Sequence, residues 1–106
     1  MGFPTPLPVA RAISKLGRDL ALARRRRRLS QASFAERMGV SLATVKRLEQ
    51  GDPRVAVETV ARALYVVGEL DRIDKLLDTS EDAVGLVLMD EQLPKRVRAR
   101  KSLEGL

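Results

Sequence analysis

The stretch Leu29–Gly51, LSQASFAERMGVSLATVKRLEQG, reads as two short helices joined by a tight turn. Ser30 and Ser41 each stand where a side-chain oxygen can accept from a free N–H of the following turn, which is the work of an N-cap. After Ser30, the residues Ala32, Phe34, Ala35 and Met38 form an apolar stripe at helical spacing, and Gly39 ends it. After Ser41, Leu42, Val45 and Leu48 mark the second helix, closed by Gly51 with Pro53 as a stop behind it. Only Gly39, Val40 and Ser41 lie between the two.

Working outward, Val9, Ile13, Leu16, Leu20 and Ala23 recur at three- and four-residue steps and predict an amphipathic helix from Val9 to about Arg27. Residues 1–8, MGFPTPLP, carry proline at alternate positions and are expected to form a stiff, disordered leader, with Pro8 able to enter the first turn of that helix. On the other side, Val57, Val60, Ala61, Leu64 and Val67 predict an inward face for a helix over 57–67, punctuated by Gly68. A fifth helix is expected over 70–77, with Leu70, Ile73, Leu76 and Leu77 as its apolar residues. Thr79 and Asp82 resemble a capping box. The run Val84–Met89 that follows is compatible with either a short helix or a short strand, and it is apolar enough to require docking on something. Lys95–Lys101 carries five like charges in seven residues and is read as a flexible basic arm.

The expected organisation is therefore a leader at 1–8, a domain at 9–78, a docked dimer or partner segment at 79–94, and a basic tail at 95–106. The fold class is all-α: a five-helix domain with a short docked C-terminal segment and flexible termini. Composition agrees, since 44% of the 106 residues are hydrophobic while only two Phe and one Tyr are aromatic, a palette for packed helices. A domain of about 70 residues is marginal for a single core, so pairing with a second copy would help to stabilise it.

Charge is unevenly placed. Residues 1–51 hold 11 basic and 3 acidic residues, a net of +8; residues 52–94 hold 4 and 10, a net of −6; residues 95–106 hold 5 and 1, a net of +4. The basic first half is the footprint expected for a polyanion. With no His and no Cys there is no imidazole base, thiol nucleophile, disulfide or zinc–thiolate site. Glu69, Asp71, Asp74 and Asp78 have no such residues or Gly-rich loop beside them, so neither catalysis, a metal nor a cofactor is expected. No apolar run approaches the ~20 residues that span a bilayer, and a cytoplasmic protein without membrane contact is the expectation. With so few aromatic side chains, nucleic-acid binding cannot rest on base stacking, which favours duplex DNA.

Two short helices around a three-residue turn containing Gly are the geometry of a helix-turn-helix. In Ser30-Gln31, Phe34-Ala35, Gly39-Val40-Ser41, Thr44-Val45 and Leu48-Glu49, closed by Gly51, the stretch resembles the Xre/Cro/phage-repressor family of helix-turn-helix domains. The resemblance covers residues 13–78. It implies that the helix from Ser41 to Gln50 lies in the major groove. Arg47 is then the first choice for a base contact, because a guanidinium reaches both O6 and N7 of guanine. Lys46 would read the same edge or a phosphate, and Leu42 and Ala43 would touch thymine methyls. Gln31, Ser41, Thr44 and Arg54 are the implied phosphate contacts; Ser41 also reads as a cap alone, and Thr44 as a plain surface residue. Arg24 and Glu49 match a structural ion pair of the family. Where the family usually has Gly, this chain has Arg28, which predicts strain in the turn leaving the first helix. The resemblance further implies a homodimer on a palindromic operator. A domain followed by an apolar segment and a basic arm is similar to HipB-like antitoxins, which bind a kinase-type toxin; a stand-alone regulator or a protein-interaction module are the alternatives.

Overall fold

The computed structural model describes residues 2–78 and 83–92, with side chains in the second stretch from Val87 onward. The chain divides into two compact units, Met1–Asp74 and Lys75–Leu106. All regular structure among the described residues is helical. The first unit holds α1 (Leu7–Arg26), α2 (Gln31–Met38), α3 (Leu42–Glu49), α4 (Val57–Val67) and α5 (Asp71–Asp74), and the second holds α6 (Ala83–Gln92). The stretch left open between helix and strand is thus helical in α6. The capping pair Thr79 and Asp82 and the basic residues 95–101 lie outside the described residues.

Helix boundaries follow from local chemistry. Ser30 accepts from the Ser33 N–H at 3.0 Å and Ser41 from the Thr44 N–H at 3.1 Å, each satisfying a donor that the helix leaves orphaned. α1 begins at Leu7, two residues before the expected Val9, because Pro8 fits the first turn and the Pro6 carbonyl accepts from the Ala10 N–H. Four helices end on the same paired bonds. At α1 the Leu29 N–H reaches the Arg24 carbonyl and the Arg28 N–H reaches that of Arg25; the same pattern recurs at Gly39, Gly51 and Gly68. This ending needs a left-handed residue, and the three glycines supply it at φ 77°, 78° and 82°. At the end of α1 the residue is Arg28, at φ 57°, so the strain predicted there is present.

The core joins Leu20 of α1, Phe34, Ala35 and Met38 of α2, Val45 and Leu48 of α3, and Ala63 and Val67 of α4. Phe34 and Val45 are fully enclosed, a burial of about 1.5–3 kcal/mol each. Several expected inward positions differ. Val9 and Leu16 are exposed, and Gly17, Ala21 and Arg24 take the buried side of α1. Ala32 is exposed on α2. On α4, Val57 is 76% exposed in the first turn, whereas Ala63 is fully buried. The expected helix over 70–77 is only the four-residue α5, and Leu76 and Leu77 are exposed beyond it.

The α1–α3 contact positions the rest. Gly17 is buried, and a Cβ added there would stand 2.6 Å from the Leu48 carbonyl oxygen and 2.8 Å from that of Glu49. Only a residue without a side chain lets the two backbones meet so closely. At the foot of α3, a Cβ on Gly51 would stand 2.7 Å from Ser14 Cα. In α6, Val87, Leu88 and Met89 are all more than half exposed. Among the described residues no helix is long and apolar enough to cross a membrane.

Candidate nucleic-acid interface

The geometry of the first unit brings the sequence-derived residues onto α3 and its borders. Val45 and Leu48 turn into the core, while Leu42, Ala43, Lys46 and Arg47 face solvent. Among the described residues the Lys46 side chain makes no hydrogen bond or ion pair. Arg47 is held lightly: its Nη2 donates to Thr44 Oγ1 at 3.2 Å, one helical turn back. Thr44 Oγ1 also lies 2.9 Å from Ser41 Oγ, so the cap, the threonine and the arginine form one exposed chain of hydroxyl and guanidinium groups.

Gln31 is tied down from behind. The Glu49 carboxylate receives Arg24 Nε at 2.7 Å on one oxygen, and Arg24 Nη2 at 3.1 Å with Gln31 Nε2 at 2.9 Å on the other. Arg24 and Glu49 are almost wholly enclosed, with side chains 10% and 7% exposed. Arg24 Nη1 also donates to the Leu29 carbonyl. A buried pair of this kind adds little net stability but is costly to break, because the survivor is left charged and dry. Its effect here is positional: it fixes the end of α1 against α3 and points the Gln31 amide at the start of α2. The second N–H of that amide remains available to an outside acceptor.

Arg54 is engaged by Asp52. Its Nε donates to Oδ1 and its Nη2 to Oδ2, both at 3.1 Å, and its backbone N–H donates to Oδ1 at 2.9 Å. The Arg54 side-chain hydrogen bond, then its backbone one, holds the Asp52 carboxyl below the ordinary carboxylate range. An open cleft of about 440 Å3 lies between α3 and α4, lined by Thr44, Arg47, Asp52, Arg54, Val55, Ala56 and Thr59. Ala56 is the N-cap of α4 and contributes no side-chain cap, so uncapped N–H groups begin beside two arginines. Backbone donors with guanidinium groups make a fitting place for an anionic oxygen.

Two arginines with structural work escaped the sequence reading. Arg27 donates from Nη2 to the Val67 carbonyl at the end of α4 and from Nη1 to that of Ala23. Arg62 donates to the Met38 carbonyl at the end of α2 and pairs with Glu58. Periodicity cannot reveal the bonds to Val67 and Met38, since those carbonyls are 40 and 24 residues away across the fold. Elsewhere, Glu69 pairs with Arg72, and among the described residues no three acidic groups gather as a metal would require.

No curated protein and no solved structure matches the chain significantly. A profile described as a helix-turn-helix domain, of the Xre-like group, matches residues 15–86, more than half of the chain and all of α2 and α3. On that match and on the capped α2–turn–α3 geometry, this chain belongs to the helix-turn-helix domain family.

Proposed function

We propose that the protein is a sequence-specific DNA-binding repressor that enters the major groove with α3. The observation that supports this best is the split of α3 into a buried side, Val45 and Leu48, and an exposed side carrying Lys46 and Arg47 in a chain region of net +8. In this reading Arg47 reads guanine O6 and N7, Lys46 reads the same edge or a phosphate, and Leu42 and Ala43 meet thymine methyls. Gln31, Ser41, Thr44 and Arg54 hold phosphates, and the Arg24–Glu49 pair keeps Gln31 aimed. Arg54 would exchange Asp52 for a phosphate oxygen in doing so. With so few polar groups at base-reading positions, DNA shape supplies part of the selectivity. Two copies bind a palindromic operator with their α3 helices ~34 Å apart, one turn of duplex. The basic residues 95–101 add sequence-independent attraction.

The test is Arg47→Ala. On the duplex that the wild-type protein selects from a random library, the variant should bind ~1–3 kcal/mol more weakly, with an unchanged far-ultraviolet spectrum. Wild-type affinity in that variant removes α3 from the groove.

Our finer reading is a cytoplasmic antitoxin of a type II toxin–antitoxin pair, which represses its own operon and binds a HipA-like kinase toxin. The exposed apolar side chains Val87, Leu88 and Met89 on α6 favour it, since such a helix surface calls for a protein partner. Co-expression with a kinase encoded beside the gene should give a stable complex. If no such neighbour exists or none co-purifies, a stand-alone or phage-type regulator is the reading that stands.

A further inference from the structure

α1 carries a row of arginines that neither the fold nor the α3 surface uses. Arg11, Arg18 and Arg25 recur every seven residues and are exposed, and among the described residues their side chains make no hydrogen bond or ion pair. Seven residues fall ~20° short of two turns, so the three lie within about 40° of one another along one flank. Successive members are ~10.5 Å apart along the axis, and the row is ~21 Å long. Lys15 and Asp19 beside it form an i,i+4 pair. The Lys15 hydrogen bond, helped by the charges of Lys15, Arg18 and Arg26, holds the Asp19 carboxyl below its ordinary range, so this acid stays ionised and its hydrogen-bonded partner is Lys15 and not a member of the row.

The flank is placed by what α1 touches. Ser14, one turn from both Arg11 and Arg18, lies against Gly51 at the foot of α3, and Gly17 lies against the last carbonyls of α3. Arg27, on the opposite side of the helix, reaches the end of α4. The arginine row therefore lies on the side of α1 away from the end of α4, next to the flank that meets the end of α3. Arg11 also lies upstream of residues 15–86, the part that the family profile matches.

We propose that Arg11, Arg18 and Arg25 form a rail that tracks the phosphates of the duplex beside the groove entered by α3. The proposal rests on the reading of the chain as a DNA-binding protein. Its chemistry is that of the polyanion alone: a guanidinium accepts no hydrogen bond and donates well to phosphate oxygens. The ~10.5 Å spacing is close to three base-pair rises of ~3.4 Å measured along the duplex axis. Solvated arginines with no ligand are the competing explanation, and electrostatics separates the two.

The experiment measures affinity for a labelled mixed-sequence 40-base-pair duplex as salt rises from 50 to 200 mM, using the full chain. Each phosphate contact contributes ~0.9 to the logarithmic salt slope, so the triple variant R11Q/R18Q/R25Q should lose about 2.7 of slope per bound chain. Across that range the wild type should therefore weaken about 40-fold more than the variant does. The triple lysine variant R11K/R18K/R25K, which keeps the charge, should retain the wild-type slope, and both variants should melt like wild type. A wild-type slope in the glutamine variant, while Arg47→Ala still impairs binding to the selected duplex, overturns the rail and leaves the proposed function standing. A lysine variant as impaired as the glutamine one also overturns it, since charge is then not what acts. Failure of the wild-type chain to bind any duplex overturns both.

Discussion

Gly17→Ala sets two physical effects against each other. In the middle of a 20-residue helix, Ala is favoured over Gly by about 0.8–1 kcal/mol, so helix propensity alone predicts a more stable protein. The structure predicts the reverse. The new Cβ would stand 2.6 Å and 2.8 Å from the carbonyl oxygens of Leu48 and Glu49, and ordinary contact begins near 3.4 Å, so α1 and α3 must part by roughly 0.8 Å. The obstacle is backbone, which has no rotamer to change. Overpacking of this kind costs about 1–3 kcal/mol, and the upper end applies because two carbonyls are struck at once. After subtracting the propensity gain, the variant should be less stable by about 2 kcal/mol. For a domain of this size that is a fall in midpoint of about 8–16 °C. Circular dichroism at 222 nm during a thermal scan reads it, with Ala12→Gly at an exposed α1 position as the calibration of propensity alone, expected to lose about 1 kcal/mol. A Gly17→Ala midpoint equal to or above wild type would refute the close α1–α3 approach.

Arg28→Gly should stabilise by about 0.5–1 kcal/mol, because it relieves a left-handed residue at φ 57° and the loss of unfolded-state restriction offsets only part of that gain; an unchanged urea midpoint would contradict it. Glu49→Ala strands the buried Arg24 charge and releases Gln31, so it should cost about 3–5 kcal/mol in urea unfolding; a loss under 1 kcal/mol would mean that the pair is solvated. With neither His nor Cys, stability should be level from pH 5 to 8. Asp52 and Asp19 have depressed folded-state values, so the stability they confer is present above the unfolded carboxyl value near 3.9 and is lost as pH falls through the lower folded values. Asp52→Asn should blunt that acid-side loss, and parallel acid titrations of the two proteins would exclude the carboxylate as its source.

What could be read from the chain was whatever acts over one or two turns. Ser30 and Ser41 bond to N–H groups three residues on, and Gly39 and Gly51 end helices through bonds that span six residues, so spacing alone exposes them. Spacing alone misses the buried side of α1 because its decisive members are a glycine and an arginine, and the family resemblance supplies only the arginine, as the partner of Glu49. Gly17 is inside because a backbone comes within reach, and Arg24 because Glu49 neutralises it; both partners lie 25 or more residues away. The same holds around α3. Residue type suggests Gln31, Arg47 and Arg54; of their resting partners, Thr44 and Asp52 lie within one turn, and Glu49, 18 residues from Gln31, emerges only from the fold. Val57 matches the helical repeat but sits in the first turn of α4, where the repeat runs out past the core and the valine is left in water.

Because Ser14, Gly17 and Arg24 of α1 all meet the chain at Leu48, Glu49 and Gly51, the helix offered to DNA is gripped at its last turn, like a cantilever, while its first residues project from the grip. From Glu49 back to Leu42 the projecting length is seven residues, ~10.5 Å of axis. Between grip and tip the burial of Val45 and Leu48 in the core steadies the helix. The aim of Arg47 is thus inherited in part from a helix that need not touch a base.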